Sequence, residues 1–442
     1  MELTIDKLTF GPDAIARYGN IPVFVRGAVP GDRVEVEISK EFKNYWRADV
    51  VKVIKRADTY VKAPCPLFQR CGGCHWQNLP YEQQLEWKRK IVSETLEHIG
   101  GVVDIDVSPV IPCRKPLGYR NKVQHPLGLL NNAVVSGFYE RKSHRIVPVE
   151  KCLLETELGS RVIAHAIRLI QKYGLAIYDE KKGTGILRHL IVKTSNAFSD
   201  AILTVVSTAE FREASGFASD IMHELPALKG VILNINRRKD NVILGDKTFC
   251  IAGEDSITER IGRLELVISS VSFFQTNSLQ AEELCRTVAE FASLQGSETV
   301  LDIYSGVGTI ALSLAEKAKK VVCIEENPAA VADAVKNASL NGIGNIKFLT
   351  GTAEEISDNS ALPEEADLVI LDPPRKGLSE KVTRWLKTMR TKITKIVYIS
   401  CDIGTFSRDA KHMRSGGYKL TRLVPVDMFP QTYHIEVVGE FV

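Results

Sequence analysis

From about residue 266 onward, short apolar runs at 299–303, 321–325, 346–349, 367–371 and 396–400 alternate with helical stretches. Strands buried on both faces and joined by helices make a doubly wound, largely parallel sheet, so this segment predicts an α/β layer of that kind. Leu420 to Val426 and His434 to Val442 follow as a closing antiparallel pair. The start of the chain has another rhythm. Val23-Phe24-Val25, Val34 to Ile38 and Ala48 to Ile54 are strands broken by Gly11-Pro12-Asp13 and Pro30-Gly31-Asp32, which predicts a small all-β barrel over 1–60. Between them, 61–265 mixes helices (80–99, 160–173) with strands (186–193, 201–206, 231–234) as a central α+β domain, and 266–442 is the third unit. Three domains suit a chain of 442 residues.

Composition closes off several classes. Hydrophobic residues are 44% and charged residues 25%, which excludes disorder and coiled coil. No apolar run reaches the ~18–20 residues of a membrane helix. Met1 to Lys7 has no apolar core of a secretory signal, so a cytoplasmic protein without membrane contact is expected. The net charge is only +3, but residues 110–151 hold eight Lys/Arg against two Glu, and 375–395 hold eight against one. Local basic surfaces of this kind suit a phosphate backbone. In the barrel, Tyr18, Phe24, Phe42, Tyr45 and Trp46 lie among Arg17, Arg26, Lys40, Lys43 and Arg47. Aromatics interleaved with cations fit an oligonucleotide-binding surface, although a barrel core uses the same residues.

Two constellations carry chemistry. In Val300-Leu301-Asp302-Ile303-Tyr304-Ser305-Gly306-Val307-Gly308-Thr309 a buried strand runs into a glycine-rich turn that lets a ligand approach the backbone. The next strand ends in Glu325, where a carboxylate can hold a ribose; NAD and S-adenosylmethionine are served equally. Asp372-Pro373-Pro374-Arg375 then forms a rigid loop at the carboxyl edge of the fourth strand. The fifth strand delivers Cys401 to the same edge, where Arg375 or a helix start is expected to depress its pKa. Glu436 is a carboxylate within an apolar strand, where burial raises its pKa into the range of a general base; His434 is a second candidate. The other constellation is Cys65, Cys71 and Cys74, spaced C-x5-C-x2-C, with Cys152 or Cys113 within reach as a fourth thiolate. Four thiolates suit structural zinc or an iron–sulfur cluster.

Residues 300–309, 372–378, 400–405 and 428–436, with Phe273-Phe274-Gln275-Thr276-Asn277, resemble the signature stretches of the RNA 5-methyluridine methyltransferase family. The resemblance runs over essentially the whole chain and includes a TRAM-like barrel at 1–60. It implies a Rossmann-like S-adenosylmethionine methyltransferase domain in which Gln275, Tyr304, Gly306, Gly308, Glu325 and Asp372 hold the cofactor. It further implies that Cys401 is the nucleophile, Glu436 the base, and Cys65, Cys71, Cys74 and Cys152 the ligands of a [4Fe–4S] cluster ahead of zinc. Some members carry Cys-Gly-x-Gly-Asn where this chain has Ser305 and Thr309, which leaves Thr309 out of the ligand set. The implied partner is structured RNA, 23S ribosomal RNA ahead of tRNA; a monomer is expected, with Phe273 or Phe274 either stacking on a flipped base or packed in the core. The helix over 379–390 turns Lys381, Arg384 and Lys387 away from a stripe of Val382, Trp385, Leu386 and Met389. The rival readings are an RNA-binding protein with a non-catalytic methyltransferase fold and a NAD oxidoreductase.

Overall fold

The computed structural model describes residues 1–358 and 365–442. Five strands, Glu2–Leu8, Asp13–Tyr18, Ile21–Arg26, Arg33–Glu41 and Trp46–Lys55, close into a barrel. The first two were not among the expected strands. Glu2–Leu8 alternates, with Leu3 and Ile5 inward and Glu2 and Thr4 outward, and pairs with Asp13–Tyr18 on one side and Arg33–Glu41 on the other. Tyr18 stacks on Trp46 and Phe42 on Tyr45 at centroid distances of 5.7 and 4.5 Å, with the Lys40 ammonium 4.9 Å from the Phe42 ring. Tyr18 and Phe42 are exposed, so the mixed aromatic and cationic set lies on the surface of the barrel.

The middle of the chain builds a seven-stranded sheet in the order Lys247–Gly253, Leu228–Ile235, Ala201–Ser207, Leu187–Thr194, Lys122–Leu130, Ala133–Tyr139, Ile146–Pro148. One face buries Val123, Leu190, Val192, Leu203 and Val231 against the helices Glu157–Lys172 and Ala214–Glu224. Ile202 and Ile232 turn the other way and join the core of the C-terminal part of the chain. The hairpin Ser256–Ile261/Leu264–Ser269 shares that core through Ile257, Leu264 and Leu266.

The third sheet has the order Ile346–Thr350, Lys320–Glu325, Thr299–Ile303, Ala366–Leu371, Ile393–Ser400, Glu436–Phe441, Leu420–Val426. The first five strands are parallel; Glu436–Phe441 runs antiparallel between Ile393–Ser400 and Leu420–Val426, so Leu420–Val426 points the same way as the first five. The strand order reverses between Thr299–Ile303 and Ala366–Leu371, which opens a crevice at their carboxyl ends. Near-continuous Val, Ile and Leu in these strands is what a doubly covered parallel sheet requires. Among the described residues no helix is long and apolar enough to cross a membrane.

The segment that carries the cysteine pattern is tied to the third sheet by a sealed polar network. The helix Tyr81–Thr95 buries Lys88, whose Nζ lies 2.5 Å from Asp427 Oδ1 and donates to the Phe429 carbonyl at 3.1 Å; both charged side chains are fully buried. The Tyr81 hydroxyl donates to Asp427 Oδ2 at 2.6 Å and accepts from the Cys113 amide at 2.7 Å. Burial pulls the Lys88 pKa down, and Asp427 acts against that shift. Removing one member of such a pair leaves a bare charge in the interior. We expect Lys88→Met to cost about 3–5 kcal/mol in urea unfolding, and Lys88→Met combined with Asp427→Leu to cost clearly less than the sum of the singles.

Candidate active site

The crevice is assembled from five strand ends and one loop. Thr299–Ile303 runs into Tyr304, held in the left-handed region (φ 74°), and Gly306 and Gly308, also left-handed (φ 55° and 83°). A β-carbon on Gly308 would press on Leu312 and Phe348 at 3.3 Å, whereas one on Gly306 would meet open space, so the turn presents a bare backbone to the crevice at Gly306. Glu325, at the end of the neighbouring strand, accepts from the Gly306 amide at 2.9 Å and the Asn327 amide at 2.8 Å. These bonds fix its carboxylate beside the glycine turn with lone pairs left for ribose hydroxyls. Asn277 caps the helix Ser278–Ala292, and just before it the Asn121 side chain donates to the Gln275 carbonyl at 3.0 Å. Of the two phenylalanines there, Phe274 is in the core and Phe273 is 62% exposed, which leaves Phe273 as the one able to stack on a base.

At the opposite lip stand Asp372, Cys401 and Glu436. Asp402 caps the helix Ile403–Ser415 by accepting from the Thr405 amide at 2.9 Å, which sets Cys401 at the turn between strand and helix. The expectation of a depressed thiol pKa is corrected: burial, then Glu436 and Asp372, push Cys401 up to about 12, with Arg375 pulling the other way. Burial outweighs the guanidinium because Arg375 is exposed and its field is screened, while the thiol is mostly enclosed. Burial and then Asp372 also drive the Glu436 carboxyl well up, and burial pushes Asp372 up to about 7. Asp302, beneath the glycine turn, is raised to about 8 by burial and by Asp372 and Glu325. Neither of its carboxylate oxygens has a hydrogen-bond partner. The free crevice therefore holds its acids and its thiol closer to neutral than water would, and a cation entering it restores their charge.

The loop that delivers Glu436 is held from three sides, which the sequence did not signal. Gln431, left-handed at φ 68°, accepts at its carbonyl from the His75 and Trp76 amides, while its amide and side chain exchange hydrogen bonds with the Gln84 side chain. Asn277 donates to the Met428 carbonyl, Gln280 to the Asp427 carbonyl and the Tyr119 hydroxyl to the Pro430 carbonyl. Further on, His434 Nδ1 accepts from Arg375 at 2.9 Å, and burial lowers its pKa to about 3, so it is a neutral acceptor and a poor base.

Cys65, Cys71, Cys74 and Cys152 all line one cavity of about 60 Å³, together with Phe68, Phe138 and Arg120. Cys113 stands apart: its thiol donates to the Lys115 carbonyl at 3.2 Å and accepts from Asn277 at 3.4 Å. Among the described residues no three His, Cys, Asp or Glu side chains converge on one point as ligands of a single ion do. Burial raises the Cys71 thiol and takes Cys74 up to about 11 and Cys152 up to about 12. Arg120 is half-buried there, with its Nε buried and unpartnered.

Comparison with known proteins agrees with this geometry. Residues 1–51 match the TRAM domain model and 234–441 match the tRNA (uracil-5-)-methyltransferase model. The structure of a Pyrococcus abyssi tRNA (uracil-54, C5)-methyltransferase in complex with S-adenosyl-L-homocysteine superposes with a TM-score of 0.79 at 28% identity, covering 100% of both chains. An uncharacterized RNA methyltransferase of Halalkalibacterium halodurans is 37% identical over 99% of this chain and 96% of its own. One from Caldanaerobacter subterraneus subsp. tengcongensis is 39% identical over 99% and 97%. The fold and the crevice are those of an S-adenosylmethionine-dependent RNA methyltransferase. Within that class, the chain belongs to the RNA (uracil-5-)-methyltransferase family with a TRAM domain, which sets aside the NAD and non-catalytic readings.

The raised Cys401 pKa has a direct chemical consequence, because only the thiolate reacts. Peptide mass spectrometry after iodoacetamide at pH 8 should find Cys401 labelled at least about ten-fold more slowly than a free thiol of pKa ~8.5. Arg375→Ala should slow labelling further.

Proposed function

We propose that the protein methylates carbon-5 of a uridine in structured RNA through a covalent bond between Cys401 and the ring. The observation that carries this is the meeting of Cys401, Asp372 and Glu436 at one lip of a crevice whose other lip is the Gly306 turn. S-adenosylmethionine supplies the methyl group; Gln275, Tyr304, Gly306, Gly308, Glu325 and Asp372 are the residues assigned to hold it. Its sulfonium and ammonium charges suit a site crowded with desolvated carboxyls, which they draw back toward the ionised state.

Carbon-5 of uracil is a weak nucleophile. The Cys401 thiolate adds to carbon-6, forming an S–C bond and moving the ring electrons to an enolate, whose carbon-5 takes the methyl group. Glu436 then accepts the carbon-5 proton, the S–C6 bond breaks, and the electron pair returns to sulfur as the double bond reforms. A carboxyl of raised pKa is a stronger base once ionised, which suits Glu436 to an unreactive C–H.

The chain is assigned in three parts: 1–60 as the TRAM-like barrel, 61–265 as the central domain and 266–442 as the catalytic domain. The RNA is assigned as 23S ribosomal RNA, on the joint presence of the barrel and the cysteine cavity. A tRNA uridine is the second reading, favoured by the Pyrococcus relative named for uracil-54 of tRNA. The enzyme is placed in the cytoplasm and acts as a monomer.

The four cysteines are assigned to a [4Fe–4S] cluster. The four cysteines line one cavity, and C-x5-C-x2-C offers only one of the paired C-x2-C knuckles that zinc usually takes, which favours the cluster. The half-buried Arg120 cation beside the cysteines suits a site whose four thiolates carry negative charge. The cluster supplies cross-linking of the 65–74 loop to Cys152; the chain's own residues do the chemistry.

With 5-fluorouridine RNA and the methyl donor, a covalent adduct should form and be absent in Cys401→Ala. With ordinary RNA, Glu436→Gln should accumulate the adduct because elimination is blocked; no adduct in either case rejects the proposal. Protein purified without oxygen should contain iron and acid-labile sulfide in equal amounts, both lost in Cys152→Ala. Stoichiometric zinc without sulfide would overturn the cluster.

A further inference from the structure

The central sheet carries two opposed cations without an acid between them. Lys122 on the strand Lys122–Leu130 and Lys193 on Leu187–Thr194 are directly paired in antiparallel register. Opposed residues project from the same face with β-carbons ~4.5–5.5 Å apart, and like charges there repel. Lys193 is almost wholly buried and donates to the Ser269 and Ser272 carbonyls, both at 2.6 Å. The acid that acts on Lys193, Asp333, is engaged by the hydroxyls of Ser269 and Ser272 at 2.7 and 2.5 Å. Burial, then Lys122, brings the Lys193 pKa down to about 7 against the pull of Asp333. Burial also lowers Lys122.

Lys122 is the more telling of the two. Among the described residues its ammonium has no hydrogen-bond or ion-pair partner, yet it is not sealed from solvent. Its neighbour Asn121 is bonded through backbone and side chain to Thr276 and Gln275, so Lys122 stands at the seam where the central sheet meets the loop bearing exposed Phe273. Partial burial of an unpaired cation, next to a second cation, destabilises the free protein and is relieved by an anion. We infer that Lys122, backed by Lys193, binds a phosphodiester oxygen of the RNA strand entering the crevice past Phe273. The inference rests on the reading of the crevice as an RNA site and does not depend on which atom of which base is methylated.

The test uses the full chain, with Lys122→Gln and Lys122→Arg. Binding of fluorescein-labelled transcripts, one a tRNA and one a 23S ribosomal RNA hairpin, is followed against salt. S-adenosylhomocysteine binding and thermal melting are measured in parallel. Lys122→Gln should weaken RNA binding and flatten the log–log salt dependence by about 0.7–0.9, the share of one phosphate contact, while Lys122→Arg keeps both. The free Lys122→Gln protein should melt at the same temperature or higher, because a repulsion has been removed. An unchanged salt slope overturns the inference. So does weakened S-adenosylhomocysteine binding with intact RNA binding, which would make the anion the carboxylate of the methyl donor. A lower melting temperature with unaltered RNA binding would make Lys122 a structural residue and also overturn it. All readouts are of binding or folding, so failure of the covalent mechanism leaves them interpretable.

Discussion

The ion pair between Lys88 and Asp427 is the constraint on which the geometry of the crevice rests. The two residues are 339 positions apart and neither side chain touches solvent. An unpaired charge in that place is so costly that the helix Tyr81–Thr95 and the loop after Leu420–Val426 have no favourable arrangement except together. Gln84 and Gln431 extend the same seam by exchanging hydrogen bonds with each other. A left-handed glutamine costs on the order of 1–3 kcal/mol, and the four hydrogen bonds at Gln431 are what hold it there. The loop reaches Glu436 already rigid. Glu436, the proposed base, is thus placed by the seam formed by Lys88, Asp427, Gln84 and Gln431.

The electrostatics of the crevice follow from the same economy of water. Asp302, Asp372, Glu436 and Cys401 are each shifted toward the neutral form, with burial first among the causes. Such a site is poorly reactive when empty. A protein with a low-pKa thiol at this edge would be open to oxidation between encounters with RNA; here the sulfur stays protonated until other charges change its surroundings.

Much of this was legible in the sequence, and the parts that were not share a reason. Most of the parallel strands showed as apolar runs, because a sheet covered on both faces takes mostly apolar side chains, with Asp302 a buried exception and Ile346–Thr350 a partly exposed edge. Gly306 and Gly308 marked the turn because left-handed backbone favours glycine. The spacing of Cys65, Cys71 and Cys74 pointed to a common site, and the family resemblance pointed to Cys152 as the fourth with Cys113 also within reach; the fold places Cys152 in their cavity and Cys113 apart from it. Lys88, Asp427 and Gln431 left no local trace, since a lysine four residues from Gln84 on an amphipathic helix reads as a solvated face. The thiol at Cys401 was misjudged for a related reason: sequence shows a nearby arginine but not how much water has been removed.

The barrel does not hang from a linker. Arg141, on the hairpin beside the cysteine loop, makes a two-pronged contact with Asp13 at 2.7 and 3.2 Å, and Phe10 meets Tyr433 edge-on at 5.9 Å. Tyr433 lies three residues before Glu436, so the barrel abuts the loop that carries the proposed base. The spacing between the stacked pair Tyr18–Trp46 and the crevice is accordingly set by packed side chains. Under the proposed function, a barrel so anchored works as a calliper, fixing the distance between an RNA feature held on its aromatic surface and the nucleotide in the crevice.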